Sequence, residues 1–308
     1  VVGGGSWGWT FMLPNLGGMC IDERFLLTEE VRKSEHIQAN DVCSICQQTY
    51  ADNSTIAKLD CGHIFHTGCL EKSIIVGSSA KSCPYCRNSD AYKAFMHETL
   101  LVAARKGRLD FVQAIIHWGT DVNKVDQNGK TALMIAIDYG QANLVDPLLK
   151  AGANVDMRSG AGISLLMQAI LARNQEIILA LINAGADLDM LSHGITPLIL
   201  AAKYLNWRSV PILVEKGTEI NSTDQNGMTA LMFAVQGGAD ALLIRLFLAN
   251  NASPFVQNKK GQNVLDIAYA VENFKVVDVL RQAMGLGEKR ASAAQGIDRR
   301  KQSRSGGR

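Results

Sequence analysis

Glycine recurs with a period of about 33 residues between Gly119 and Gly261 of this 308-residue chain. In one series the spacings are 33, 32, 33 and 34 residues, and a second series keeps step with it at 33, 33 and 32. The first comprises Gly129, Gly162, Gly194, Gly227 and Gly261, and the second comprises Gly119, Gly152, Gly185 and Gly217. Self-similarity at such a period indicates an array in which each unit buries its apolar face against its neighbours.

Each unit of the array reads as a short pair of helices. A small, apolar run such as residues 131–136 is followed by the apolar pairs 144–145 and 148–149 at helical spacing. The second glycine series marks chain reversals, because glycine adopts the left-handed conformation at a helix end without a side-chain clash. Asn-Gly dipeptides at 128–129 and 226–227 then predict tight turns before the next pair.

These units resemble ankyrin repeats, and we count six of them over residues 96–286. The family's opening is matched by residues 129–133, 194–198 and 227–231, and its closing loop by residues 152–156 and 185–189. The resemblance implies a mainly α-helical solenoid that binds a protein partner, with a rigid spacer as the alternative. For a binding surface we consider the loop tips, at Asp126, Gln127, Arg158, His193, Asp224, Gln225 and Lys259.

A second pattern lies between residues 43 and 86, where six of the seven cysteines and two of the six histidines are clustered. The candidate ligands are Cys43, Cys46, Cys61, His63, His66, Cys69, Cys83 and Cys86. Zinc favours thiolate sulfur and imidazole nitrogen in sets of four, and a two-residue gap lets one turn aim both side chains at the same ion. Eight ligands predict two tetrahedral zinc sites. The segment is about 45 residues long, so metal binding is expected to supply much of its folding free energy.

The cluster resembles a RING finger of the RING-H2 type over residues 43–87, because histidines occupy both the fourth and the fifth ligand position. The resemblance implies a small α+β domain with an interleaved cross-brace. One zinc ion is then held by Cys43, Cys46, His66 and Cys69, and the other by Cys61, His63, Cys83 and Cys86. With no open coordination position, both Zn2+ ions are structural.

Three further positions in this segment match RING-type ubiquitin ligases. In that family an apolar residue before the second ligand and a proline after the seventh bind the ubiquitin-conjugating enzyme, and here they are Ile45 and Pro84. Arg87 follows the last ligand, where active members place an arginine that bridges the conjugating enzyme and ubiquitin, so it is the predicted catalytic residue. Ser73 departs from the pattern, since many RING-H2 members have tryptophan there.

Charge and composition limit the other possibilities. Thirty-one basic and twenty-nine acidic residues leave a net charge of +2. Because this is too small to attract nucleic acid over the whole protein, we do not expect a nucleic-acid partner. Residues 1–42 are predicted to be a glycine-rich segment and a short linker helix, and they suggest the remnant of a missing domain. Residues 287–308, with seven basic and two acidic residues, are predicted to be a disordered basic tail. We predict no membrane span, and reduced cysteines indicate a cytoplasmic or nuclear location.

Two functions are consistent with these patterns. The first is a RING-type ubiquitin-protein transferase that docks a ubiquitin-charged conjugating enzyme on the RING and recruits protein substrate through the ankyrin repeats. It holds the thioester near a substrate lysine and contributes no nucleophile of its own. The second is a non-catalytic adaptor in which the zinc module only mediates protein–protein interaction.

Overall fold

The computed structural model describes residues 41–50, 55–76 and 82–286. The chain divides into two compact units, with the boundary between Asn154 and Val155. The predicted linker helix in residues 1–42, apart from its last two residues, and the predicted basic tail lie outside the described residues. None of the described helices combines the length and the apolar character needed to cross a bilayer.

The first unit begins with a small α+β module. Strand β1 (Ile56–Lys58) pairs antiparallel with strand β2 (Ile64–His66), with Ala57 opposite Phe65, and helix α1 (Thr67–Val76) follows directly. Aromatic and branched side chains from the strands and the helix form its buried core, namely Ile56, Leu59, Phe65, Leu70 and Ile74. This core is small, as expected for a module of this length.

Helix α2 (Ser89–Lys106) begins immediately after the last candidate zinc ligands. The Asn88 side chain caps it by accepting hydrogen bonds from the backbone N–H groups of Asp90 and Ala91, at 3.0 and 3.1 Å. The helix ends at Gly107, whose φ of 71° lies in the left-handed region. The predicted start of the array at residue 96 therefore falls inside a continuous helix.

Helix α2 pairs with helix α3 (Leu109–His117), and helix α4 (Ala132–Asp138) pairs with helix α5 (Ala142–Lys150). The two pairs stack, because α2 packs on α4 and α3 packs on α5. The Thr131 hydroxyl caps α4 by accepting the backbone N–H of Met134 at 3.3 Å. These helices complete the first unit.

The small module packs directly on the first helical pair. Helix α1 contacts helix α3, and the indole N–H of Trp118 donates a hydrogen bond to the carbonyl oxygen of Ile74 at 3.2 Å. The Tyr92 ring on α2 lies 5.7 Å from the Trp118 ring, centroid to centroid. Because Ile74 belongs to the last turn of α1, its carbonyl has no partner within that helix, and Trp118 supplies one.

The second unit repeats the same arrangement four times. Its helices are α6 (Leu165–Leu171), α7 (Gln175–Asn183), α8 (Pro197–Lys203), α9 (Ser209–Glu215), α10 (Ala230–Gln236), α11 (Ala241–Ala249), α12 (Val264–Ala270) and α13 (Phe274–Ala283). The inner helices α6, α8, α10 and α12 stack in sequence order, as do the outer helices α7, α9, α11 and α13. The predicted fold class, helical pairs in an array preceded by a small α+β module, is confirmed.

Local sequence explains why each inner helix begins where it does. Ser164, Thr196 and Thr229 each accept a hydrogen bond from the backbone N–H three residues later, at 3.2–3.3 Å. Small residues such as Ala201 and Ala234 are fully buried. Their size lets neighbouring helices approach closely, which is why the array keeps them on its inner faces.

Candidate metal centre

Two turns of similar geometry carry four of the candidate ligands. In the first, the backbone N–H of Gln47 donates to the carbonyl of Cys43 at 2.7 Å, and Gln47 has a φ of 59°. In the second, the N–H of Arg87 donates to the carbonyl of Cys83 at 2.9 Å, and Arg87 has a φ of 61°. Each turn therefore aims two cysteines in one direction and is closed by a residue in the left-handed conformation.

The first group of ligand atoms belongs to Cys43, Cys46, His66 and Cys69, which all lie within 4.8 Å of one another. His66 ends β2 and Cys69 lies in the first turn of α1, so the strand and the helix bring them to the first cysteine turn. The Nδ1 atom of His66 lies 3.3 Å from the sulfur of Cys46.

The second group belongs to Cys61, His63, Cys83 and Cys86, whose ligand atoms also lie within 4.8 Å of one another. Cys61 and His63 lie in the turn between β1 and β2, where Gly62 has a φ of 86°. The structure thus brings the eight predicted ligands together in two interleaved groups. The first and third ligand pairs along the chain share one group, and the second and fourth pairs share the other.

The thiols within these groups perturb each other's protonation. Burial and, to a smaller extent, the neighbouring thiols of Cys46 and Cys43 together raise the pKa of Cys69 to about 12. Burial likewise raises the pKa of Cys61 to about 11. Burial also raises the pKa of Cys43, but backbone N–H groups of Cys46, His66 and Ile45 outweigh it and lower the pKa to about 7. Several sulfurs in so small a volume resist joint deprotonation unless a cation is present.

The residues of both groups fit a zinc ion. The donor sets, three sulfurs and one nitrogen in each, are those that zinc prefers in closed tetrahedral sites. In the second group, the Nδ1 atom of His63 is buried and has no hydrogen-bond partner among the described residues. A metal ion would satisfy that nitrogen, which is otherwise costly to bury.

The three residues predicted to face a conjugating enzyme lie on these same turns. Ile45 is half-buried in the first turn, whereas Pro84 and Arg87 are exposed in the second. Their roles remain predictions. Sequence reasoning missed Tyr85, which is 65% exposed. The centroid of its ring lies 4.4 Å from the centroid of the His63 ring. Its signal was available, because Tyr85 precedes the last ligand just as Ile45 precedes the second.

Ser73 faces the first helical pair. Its hydroxyl donates to the carbonyl of Leu70 at 2.8 Å. Burial raises the pKa of Tyr92, and a hydrogen bond with Ser73 partly offsets that rise. The position that departs from the RING-H2 pattern therefore contacts the chain's own helix α2.

Comparison with protein families matches both parts of the chain. The model described as "Ring finger domain" matches residues 41–87. Models described as "Ankyrin repeats" match residues 82–159, 100–192 and 140–224 (three copies) and residues 213–268 (many copies). Both resemblances predicted from the sequence are confirmed.

Curated relatives match over the zinc module alone. The chain is 43% identical over 47 residues to a probable E3 ubiquitin-protein ligase, HIP1, of Oryza sativa subsp. japonica, which is 15% of this chain and 7% of that protein. It is 46% identical over 50 residues to the probable E3 ubiquitin-protein ligase XERICO of Arabidopsis thaliana, 16% of this chain and 30% of that protein. With the human E3 ubiquitin-protein ligase RNF126 it shares 34% over 55 residues, 18% of this chain and 17% of that protein. The chain thus spans less than a third of the length of each.

Solved structures match the helical array. An ankyrin repeat domain from Acinetobacter baumannii is 27% identical, with a TM-score of 0.54 and coverage of 60% of this chain and 96% of that one. The ankyrin repeat domain of Bcl-3 is 22% identical, with a TM-score of 0.56 over 69% of this chain and 97% of that one. The second match concerns the fold alone.

Proposed function

Because the chain contains a RING finger at residues 41–87 followed by ankyrin repeats over residues 82–268, we propose that it is a RING-type ubiquitin-protein ligase that recruits its substrate through the repeats. The observation that carries the proposal is the pair of matched turns. They contribute two cysteines to each of the two interleaved ligand groups, and Ile45, Pro84 and Arg87 lie on them. The three relatives named above are ligases or probable ligases, and their similarity to this chain covers this same segment.

We assign one zinc ion to each ligand group, which gives two structural Zn2+ per chain. Bound zinc supplies folding free energy to the module. The protein's own part is to hold four ligands at each site and leave no open position, so that neither ion acts as a Lewis acid. Cys43 and Cys83 are fully buried, which shields one ligand of each site from solvent.

Ile45 and Pro84 form the apolar docking surface for the conjugating enzyme in this proposal. Arg87, predicted as the catalytic residue, acts by positioning. Its planar guanidinium donates hydrogen bonds in a fixed fork and can reach carbonyl groups on two partners at once. Catalysis then consists of orientation and proximity, since the reactive thioester belongs to the conjugating enzyme.

The proposed docking surface lies next to the first repeat. Helix α2 starts two residues after Arg87, and α1 packs on α3 within the same compact unit. The direction in which ubiquitin is presented is therefore fixed relative to the first two helical pairs. We expect modification of a restricted set of substrate lysines.

A reconstituted autoubiquitination assay with a panel of conjugating enzymes tests the proposal. Arg87→Ala is expected to slow ubiquitin transfer about tenfold or more, the factor for losing one charge-assisted hydrogen bond in the reactive complex. Gln47→Ala is the matched control, because it places alanine at the same left-handed turn position without removing a guanidinium. Ile45→Ala is expected to weaken docking, with zinc content and folding unchanged.

Absence of ubiquitin chains with every conjugating enzyme refutes the ligase and leaves the adaptor. That second function is favoured by one feature of the sequence, since Ser73 stands where many RING-H2 members have tryptophan. In the adaptor the zinc module is a folded interaction domain. For either function we expect a reducing compartment, the cytoplasm or the nucleus, because thiolate ligands require it.

A further inference from the structure

A groove of about 580 Å³ lies on the second unit, between the inner helices and the turns that precede them. Its wall is formed by the ends of α8, α10 and α12 and by the turns at residues 224–228 and 258–262. The half-buried ring of Phe233 and the side chain of Ile267 provide an apolar surface within it. No residue of the zinc module, including Arg87, lines this groove.

The charged residues that line the groove are mostly basic. Lys203, Lys259 and Lys260 line it and are exposed, and Asp224 is the one carboxylate among the lining residues. The Asp224 carboxylate is hydrogen-bonded within its own turn, since its Oδ1 atom accepts hydrogen bonds from the backbone N–H groups of Asn226 and Met228, both at 2.8 Å. Three ammonium groups against one carboxylate give the groove a net positive charge.

The two turns are held together, which fixes the backbone at Lys259. The backbone N–H of Lys259 donates to the carbonyl of Asn226 at 2.9 Å, which joins one turn to the next. A Cβ atom on Gly227 would lie 3.1 Å from the Cα of Asn258, so only glycine permits this approach without displacement. Lys203 is anchored as well, because its ammonium lies 5.7 Å from the centroid of the Phe233 ring.

We propose that this groove binds an acidic, extended segment of a protein partner. Its carboxylates contact the ammonium groups of Lys259 and Lys260, and an apolar side chain packs between Phe233 and Ile267. Charge complementarity selects the segment, while the apolar contact provides affinity that persists at high salt. The inference rests on the proposed function only in treating the bound segment as part of a substrate.

The test is capture of peptides from a random dodecapeptide library by the immobilised full chain, with mass spectrometry of the eluted peptides. Captured peptides are expected to be enriched in Asp and Glu together with an apolar residue. The Lys259→Gln/Lys260→Gln double variant is expected to lose this enrichment, about fivefold for two exposed ion pairs. Lys216→Gln/Lys275→Gln is the matched control, since these exposed lysines lie on the outer helices' side of the repeats and do not line the groove.

Equal acidic enrichment in the two double variants overturns the proposal, and so does enrichment of basic or purely apolar peptides. Displacement of captured peptides by a single-stranded DNA decamer at concentrations where an equally charged polyglutamate has no effect would identify a nucleic-acid site and also overturn it. Capture requires no ubiquitin. If the wild-type chain shows no acidic enrichment but intact autoubiquitination, the groove alone is refuted, whereas acidic enrichment by a wild-type chain without any ligase activity refutes the ligase alone.

Discussion

Replacing Trp118 with phenylalanine tests whether the zinc module and the first repeat open together as one cooperative unit. The substitution removes the indole N–H that donates to Ile74 but keeps an aromatic ring beside Tyr92. Leaving a buried carbonyl without its partner costs about 1–3 kcal/mol. Ile74 is fully buried, so we expect a loss of about 1.5 kcal/mol in the free energy of local opening.

Hydrogen exchange measured by mass spectrometry reports this loss directly. A change of about 1.4 kcal/mol raises the opening equilibrium about tenfold, so amides in both α1 and α3 are expected to exchange about tenfold faster. Trp207→Phe is the control, because that half-buried tryptophan belongs to the second unit and is expected to leave α1 unchanged. Faster exchange in α3 with none in α1 would refute the coupling.

Two further predictions concern the metal sites and the turns of the array. Elemental analysis of the reduced protein is expected to give about two zinc ions per chain, and chelation is expected to abolish protection of β1, β2 and α1 in hydrogen exchange. A zinc content well below about two would contradict the assignment of both ligand groups. Gly227→Ala is expected to lower the unfolding midpoint in urea more than Gly261→Ala does. Both glycines have a φ near 73–74°, and only the first also faces backbone atoms at 3.1 Å. Equal midpoints would show that the neighbouring turn moves away freely.

Local chemistry explains how much of the array was predictable. The glycine turns and the hydroxyl caps such as Thr196 act over four residues or fewer, and the turns recur at a constant period, so both can be read from the sequence directly. The ligand spacing likewise indicated which cysteines share a turn. The chain path that brings His66 to Cys43 is implied by the family resemblance, because spacing alone is compatible with other pairings.

Contacts between distant segments were not predictable. The Trp118–Ile74 hydrogen bond joins residues 44 positions apart, and neither residue belongs to a repeating pattern that would identify the other. The same limit explains why the sequence predicts an array that starts at residue 96. Residues 89–95 contain no glycine signal, and their helical state depends on the Asn88 cap and on packing of Tyr92 and Phe95. The sequence also does not predict that Lys203 and Lys259 line the same groove, since stacking of successive repeats brings them there.

Only Asn88 separates Arg87 from helix α2, so the angle between the zinc module and the first repeat depends on the number of residues in the helix. A helix advances about 1.5 Å and turns about 100° for each residue. One amino acid inserted among residues 89–95 would therefore swing the zinc module through more than a quarter of a circle about the α2 axis and carry Ile74 away from Trp118. Four added residues restore the phase to within about 40° but shift the module by about 6 Å. The number of residues in this stretch is thus constrained in addition to the identity of its buried residues, Tyr92 and Phe95.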